Sequence, residues 1–356
     1  MKTTTPVKSY DDEAGYGGLD VHKRTYVVVV RVCKPVVKKW TTVSDPKALA
    51  NQLLKFFKGG KIYTVYEAGF SGFRLHRELR CAGIDSIVVH PAAVEVAANN
   101  RVKTDKRDAA KLAEQLEAGR LKGIRVPSED QEQARLLSRT REQLVQTRSQ
   151  VKQQIRAKAH QFGLIAPEDR REMSPRFFQE LLECSPSEMF TLAIEALWQI
   201  WQSLDQQINH LVVQLKQQAA VDANEATYRS APGVGPISAR VLSIELGVMA
   251  QFKNERAVFS YTGLTPSEHS SGDNVRRGHI TKQGNRHLRG ILLEIAWRAV
   301  RKDSALQVFF DRLHPRVGRK KAIIAVARKL IGKIRAAFRK GELYQLDYPT
   351  EANATV

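Results

Sequence analysis

The chain has 356 residues, and 57 Lys+Arg against 37 Asp+Glu leave it a formal charge of +20, the balance of a protein whose partner is a polyanion. No run approaches the ~20 apolar residues of a membrane-spanning helix, and residues 1–18 are polar, without the apolar core of a signal peptide. Cys33, Cys81 and Cys184 are odd in number and scattered, which suggests neither a disulfide framework nor a zinc site and fits a reducing cytoplasm.

Length alone predicts two or three domains. Residues 1–16 carry no periodicity and are expected to form a flexible tail. Residues 17–23, GGLDVHK, lead into the β-branched run 26–32, typical of a buried strand. Residues 38–43 suit the next strand. Residues 45–57 suit a helix, with Pro46 in the first turn and Leu49, Leu53, Phe56 and Phe57 on one face. A strand over 61–66 ends at Glu67, a helix follows over 71–82 until Gly83, and a short strand over 85–90 closes at Pro91. Strands alternating with helices over about 125 residues indicate an α/β domain.

The stretch 101–114, RVKTDKRDAAKLAE, then reads as a helix start. Thr104 is a good N-cap, Asp105 falls where the helix dipole favours negative charge, and Asp108 leaves the same face one turn later. In this reading Asp20 stands at the start of one strand, Glu67 at the end of another, and the two aspartates on the helix that follows. An open α/β sheet can gather such edges into one crevice. Four carboxylates cannot all stay ionised close together without cations. Hard oxygen ligands select Mg²⁺ or Mn²⁺, which suit phosphodiester chemistry. Taken singly, each acid also reads as an ordinary surface residue.

From residue 128 the character changes. Leu137, Leu144 and Val151 stand seven apart, Ile155, Ala159 and Phe162 continue the stripe, and arginines stud the other faces. Residues 163–175 read as a break. A second helix carries Phe190, Ile194, Leu197, Trp201, Leu204, Ile208, Leu211 and Leu215, a seven-residue repeat sufficient for a coiled-coil seam. Residues 230–247, SAPGVGPISARVLSIELG, have a tight turn before Pro236, the pattern of a helix-hairpin-helix. Gly233 and Gly235 there are candidates for close contact with a nucleic-acid phosphate. Residues 261–289 are dense in Gly, Ser, Thr, Asn and Pro and read as a long loop. Within it Ser270 and Ser271 precede Gly272, and Arg276, Arg277, Lys282, Arg286 and Arg289 are candidates to hold phosphates. A serine becomes a nucleophile only when its proton is removed and the developing charge neutralised; otherwise Ser271 is a turn serine. Residues 291–340 are helical and basic, with nineteen Lys/Arg against five Asp/Glu over 271–345.

Taken in order, GLDVHK (18–23), YEAG (66–69), KTDKRDA (103–109), APGVGPISA (231–239), YTGLTP (261–266) and SSG…ITKQGNRHLR (270–289) resemble the bridge-RNA-guided insertion-sequence transposases of the IS one-ten group, with its eleven-eleven branch as an option. The resemblance spans about residues 18–340. It implies a RuvC-like, RNase H-like α/β catalytic domain over 17–127 and an α-helical coiled-coil linker over 128–222. A mainly α transposase domain with a helix-hairpin-helix and a serine loop follows over 223–345, and 346–356 form a tail. It also implies that Asp20, Glu67, Asp105 and Asp108 bind Mg²⁺ (or Mn²⁺) and that Ser271 is the nucleophile, with Ser270 adjacent. The implied partners are donor and target DNA, a non-coding guide RNA and further copies of the chain in a dimer or tetramer, with no membrane, in the bacterial cytoplasm at the nucleoid. Two other functions fit the residues: a RuvC-like metal-dependent, structure-selective nuclease without a covalent intermediate, and a non-catalytic nucleic-acid scaffold.

Overall fold

The computed structural model describes residues 10, 13–95, 104–268 and 277–346. The chain divides into two compact units, Met1–Pro127 and Ser128–Val356. The first is a mixed sheet with helices on both faces. Its strands are β1 (Ala14–Val21), β2 (Thr25–Arg31), β3 (Val36–Val43), β4 (Lys61–Glu67) and β5 (Asp85–Val89), and its helices are α1 (Pro46–Phe56), α2 (Arg74–Cys81) and α3 (Asp105–Glu117). The order across the sheet is β3-β2-β1-β4-β5. β1, β2 and β3 form an antiparallel meander, while β4 runs parallel to β1 and β5 parallel to β4.

Period-two alternation divides the residues between the two faces of this sheet. Leu19, Val28, Val30, Tyr66 and Val88 pack with Leu49 and Leu53 of α1 and Leu75 and Leu79 of α2. Val27 and Val29 meet Ala109 of α3 on the opposite face, where Val65 and Val89 meet Leu112. At Gly18 a β-carbon would stand 1.9 Å from the Ala109 carbonyl oxygen and 2.5 Å from the Ala113 nitrogen. Only glycine therefore lets α3 lie directly on β1.

Two expectations change here. Strand β1 begins at Ala14, inside the stretch read as a tail, and Tyr10 is buried with its ring 4.9 Å from that of Phe57. Asp20 consequently stands near the end of its own strand, not at the start of one.

The second unit is mainly helical. It comprises α4 (Glu129–Gln161), α5 (Pro175–Glu183), α6 (Glu188–Ala220), α7 (Glu225–Arg229), α8 (Pro236–Leu246), α9 (Glu255–Thr262), α10 (Arg286–Ala299), α11 (Ser304–Val317) and α12 (Arg319–Lys340), plus the short antiparallel pair β6 (Pro266–Glu268) and β7 (Arg277–Ile280). Helices α4 and α6 run antiparallel, because Arg148 pairs with Asp205 while Phe162, further along α4, meets Phe190, earlier on α6. Their distal core holds Val151, Ile155, Ala159, Phe190 and Ile194. The seven-residue stripe is not the whole contact. Trp198, off the stripe, is also buried and stacks at 4.6 Å on Phe178 of α5. That short helix, capped by Ser174 and opened by Pro175, begins inside the stretch read as a break. A second core joins α8 to α12 through Leu242, Leu246, Leu292, Ile295, Val326 and Leu330. The described residues of the stretch read as a long loop include regular structure: α9 extends to Thr262, β6 ends at Glu268, β7 starts at Arg277, and Arg286 opens α10. Among the described residues no helix is long and apolar enough to cross a membrane, and the three cysteines are exposed and unpaired.

Candidate active site

The parallel pairing of β1 with β4 sets Leu19 opposite Tyr66. Asp20 and Glu67, one residue further on, therefore leave neighbouring strands at the same edge. Leu19 and Tyr66 belong to the α1–α2 face, so alternation puts Asp20 and Glu67 on the α3 face. Helix α3 begins there. The hydroxyl of Thr104 caps it by accepting the Arg107 N–H at 3.4 Å, and Asp105 and Asp108 occupy the first turn. Asp20, Glu67, Asp105 and Asp108 all line one cleft of about 430 Å³, together with His22, Ser71 and Lys111.

The charges in the cleft are partly paired. Lys111 Nζ lies 3.5 Å from Asp108 Oδ1. His22 Nε2 lies 3.4 Å from Asp20 Oδ2 and 3.1 Å from Asp105 Oδ2. Donor atoms of Asp20, His22 and Asp105 fall within 4.8 Å of one another, a spacing that could hold a metal ion. The imidazole nitrogen is shielded from solvent, yet neither carboxylate meets it with hydrogen-bond geometry. A buried ring nitrogen without a hydrogen bond, set beside carboxylate oxygens, is a donor set that fits a divalent cation. The pattern of acids in the sequence does not single out His22 or Lys111. The signal for His22 is its spacing of two from Asp20 at a strand end, and for Lys111 its place one turn after Asp108.

In the second unit, Ser270, Ser271 and Arg276 lie outside the described residues, and of Arg277 only the backbone, in β7, is described. Lys282 and Arg286 are exposed, as phosphate contacts need to be. Arg289 is turned inward instead. Its guanidinium donates to the carbonyls of Lys282 at 3.1 Å and Thr262 at 3.5 Å, holding the chain that leads into α10. The two turn glycines also differ. Gly233 has φ +78°, and a β-carbon there would stand 2.7 Å from the Ile295 carbonyl oxygen, so its bareness serves packing on α10. Gly235, which precedes the first turn of α8, faces open space.

Most of the arginines along α4 are engaged within the unit. Arg135 and Arg139 converge on Glu245, whose buried carboxylate also accepts from Asn285 Nδ2 at 2.8 Å. Arg148 pairs with Asp205 and Arg156 with Asp169. By contrast, α12 starts at Gly318 without a side-chain cap and carries the exposed Arg319, Lys320 and Lys321 in its first turn. Three cations at the positive end of a helix dipole disfavour the isolated helix and favour an anion.

Comparison with known proteins agrees with these observations. Residues 17–162, which include all four acids, match the model of the DEDD-type IS110 transposases, described as a transposase. Residues 226–311 match the Transposase IS116/IS110/IS902 family. A putative transposase, y4qE, of Sinorhizobium fredii is 30% identical over 87% of this chain and 75% of its own length. A second from the same organism, putative transposase y4rJ, is 31% identical over 75% of this chain and 74% of its own. The transposase for insertion sequence element IS1111A of Coxiella burnetii is 27% identical, covering 79% of each. With matches in both units and relatives of this identity along most of its length, the chain belongs to the IS110 family of insertion-sequence transposases and is a DNA transposase.

Proposed function

We propose that this transposase cuts and rejoins DNA strands through a phosphoserine intermediate on Ser271, aided by Mg²⁺ at Asp20, Glu67, Asp105 and Asp108, and finds its sites through a non-coding bridge RNA. The observation that carries the reading is the gathering of four carboxylates from β1, β4 and α3 in one cleft. The sheet order and the antiparallel β1–β2–β3 meander support an RNase H-like, RuvC-like identity for the first unit. The antiparallel α4–α6 pair supports the coiled coil, and the α7–turn–α8 arrangement supports the helix-hairpin-helix.

A divalent cation held by the acids would polarise the scissile phosphate and stabilise the leaving oxygen. In the covalent step one bond forms between Ser271 Oγ and phosphorus, and one P–O bond to the sugar breaks. The Oγ proton goes to solvent, and the released sugar oxygen takes one up. The phosphoester count does not change, so rejoining needs no nucleotide triphosphate. Arg276, Arg277, Lys282 and Arg286 would neutralise charge on the strand being transferred.

Guide pairing puts target choice in the RNA and leaves the side chains to hold backbones. The test is retargeting. The same protein is supplied with guide RNAs differing only in the target-pairing segment, and insertion sites are sequenced. Insertion that follows the guide supports the reading, and insertion at one fixed site whatever the guide refutes it.

A further inference from the structure

We infer that His22 supplies an imidazole nitrogen to the divalent cation of the acidic cleft, so that the site prefers a first-row transition ion such as Mn²⁺ to Mg²⁺. The inference rests on the metal reading proposed above and adds a ligand to it. His22 lies two residues beyond Asp20, just past the end of β1, where its backbone N–H donates to the Thr25 carbonyl at 2.9 Å and anchors the turn. Its Nε2 is set between carboxylates from two elements, 3.4 Å from Asp20 and 3.1 Å from Asp105. No solvent reaches that atom, and no hydrogen bond satisfies it. Asp108 already has Lys111 at 3.5 Å. Among the described residues, donor atoms of Asp20, His22 and Asp105 lie within 4.8 Å of one another, two oxygens and one nitrogen, with Glu67 and Asp108 lining the same cleft.

Oxygen-only sites suit Mg²⁺, whereas an imidazole among the ligands shifts preference toward transition metals, which bind nitrogen more strongly. A His22 that merely neutralised the two aspartates would make no bond to the ion, and spectroscopy separates the two roles. The full-length chain is loaded with Mn²⁺ alone and examined by electron spin-echo envelope modulation, with affinity followed by the free-Mn²⁺ resonance and Mg²⁺ as competitor.

The expected result is ¹⁴N modulation from a directly bound imidazole in the wild type. It should vanish in His22→Ala and in His22→Gln, which keeps a polar side chain should the alanine variant fold poorly. Mn²⁺ affinity should fall about tenfold or more, and Mg²⁺ affinity by less. Tightly bound Mn²⁺ without ¹⁴N coupling in the wild type, or coupling that survives in both variants, overturns the inference and leaves the carboxylate site standing. Failure of the wild type to bind Mn²⁺, or binding undiminished by Asp105→Asn, overturns the carboxylate site itself.

Discussion

Asp105 and Asp108 share a helix turn but meet different surroundings. Asp105 has 60% of its side chain exposed and faces His22, while Asp108 is 20% exposed and paired with Lys111. Both add negative charge to a cleft that also holds Asp20 and Glu67, a repulsion in the metal-free form that the helix dipole, His22 and Lys111 offset only in part. Asp105→Asn and Asp108→Asn should leave the melting temperature in a chelating buffer unchanged or slightly raised. Divalent-dependent strand cleavage should fall by about 10²-fold or more, as expected when metal stabilisation of the transition state is removed. Thermal unfolding by circular dichroism and cleavage of end-labelled DNA check the two halves separately. A variant that keeps wild-type cleavage removes its residue from the site.

Among the elements, β1 and α3 act as a pair. The close approach at Gly18 seats α3 so that its first turn meets the strand ends. Gly18→Ala must push the helix away. The expected cost is about 1–3 kcal/mol of stability, the usual penalty for overpacking, together with loss of cleavage through misplacement of Asp105 and Asp108. Restoration of cleavage at low temperature without recovery of stability would contradict this, because the displacement persists when the fold is safe. The same close approach explains what the sequence conceals. Helix α3 is legible because Thr104, Asp105 and the alanines following Asp108 are strong local signals. Strand β1 reads AGYGGLDV. Its glycines, one required where α3 lies on the strand, erase the β-branched signature by which β2 is easily recognised. From sequence Asp20 is therefore assigned to the wrong end of a strand, although the gathering of the four acids follows from the α/β pattern. Helix α5 has a legible start, Ser174 capping and Pro175 in the first turn, which the polar stretch before it obscures. His22 is marked in the sequence only by its spacing of two from Asp20, a weak signal because a histidine near a strand end has many ordinary uses, and only geometry brings it to Asp105.

Across the whole molecule, the +20 charge is unevenly available. Arginines 135, 139, 148 and 156 on α4 face internal acids, whereas Arg319, Lys320 and Lys321 stand exposed at the uncapped start of α12. Replacing those three by Gln should reduce the salt dependence of duplex DNA binding by about 0.9 in log–log slope for each phosphate no longer neutralised. A fluorescence-anisotropy titration over a salt series measures it, and an unchanged slope places the footprint elsewhere. In the proposed mechanism a metal-binding cleft in the first unit and a serine nucleophile in the second serve one strand-transfer reaction. The most direct test is the covalent state of DNA during that reaction, read on denaturing gels of end-labelled substrate with mass spectrometry of any adducted peptide. The mechanism predicts a protein–DNA adduct at Ser271, abolished together with cleavage in Ser271→Ala and in Asp105→Asn. Cleavage that survives in Ser271→Ala, releasing a free 5′-phosphate with no adduct, would show that water is the nucleophile and contradict the phosphoserine mechanism.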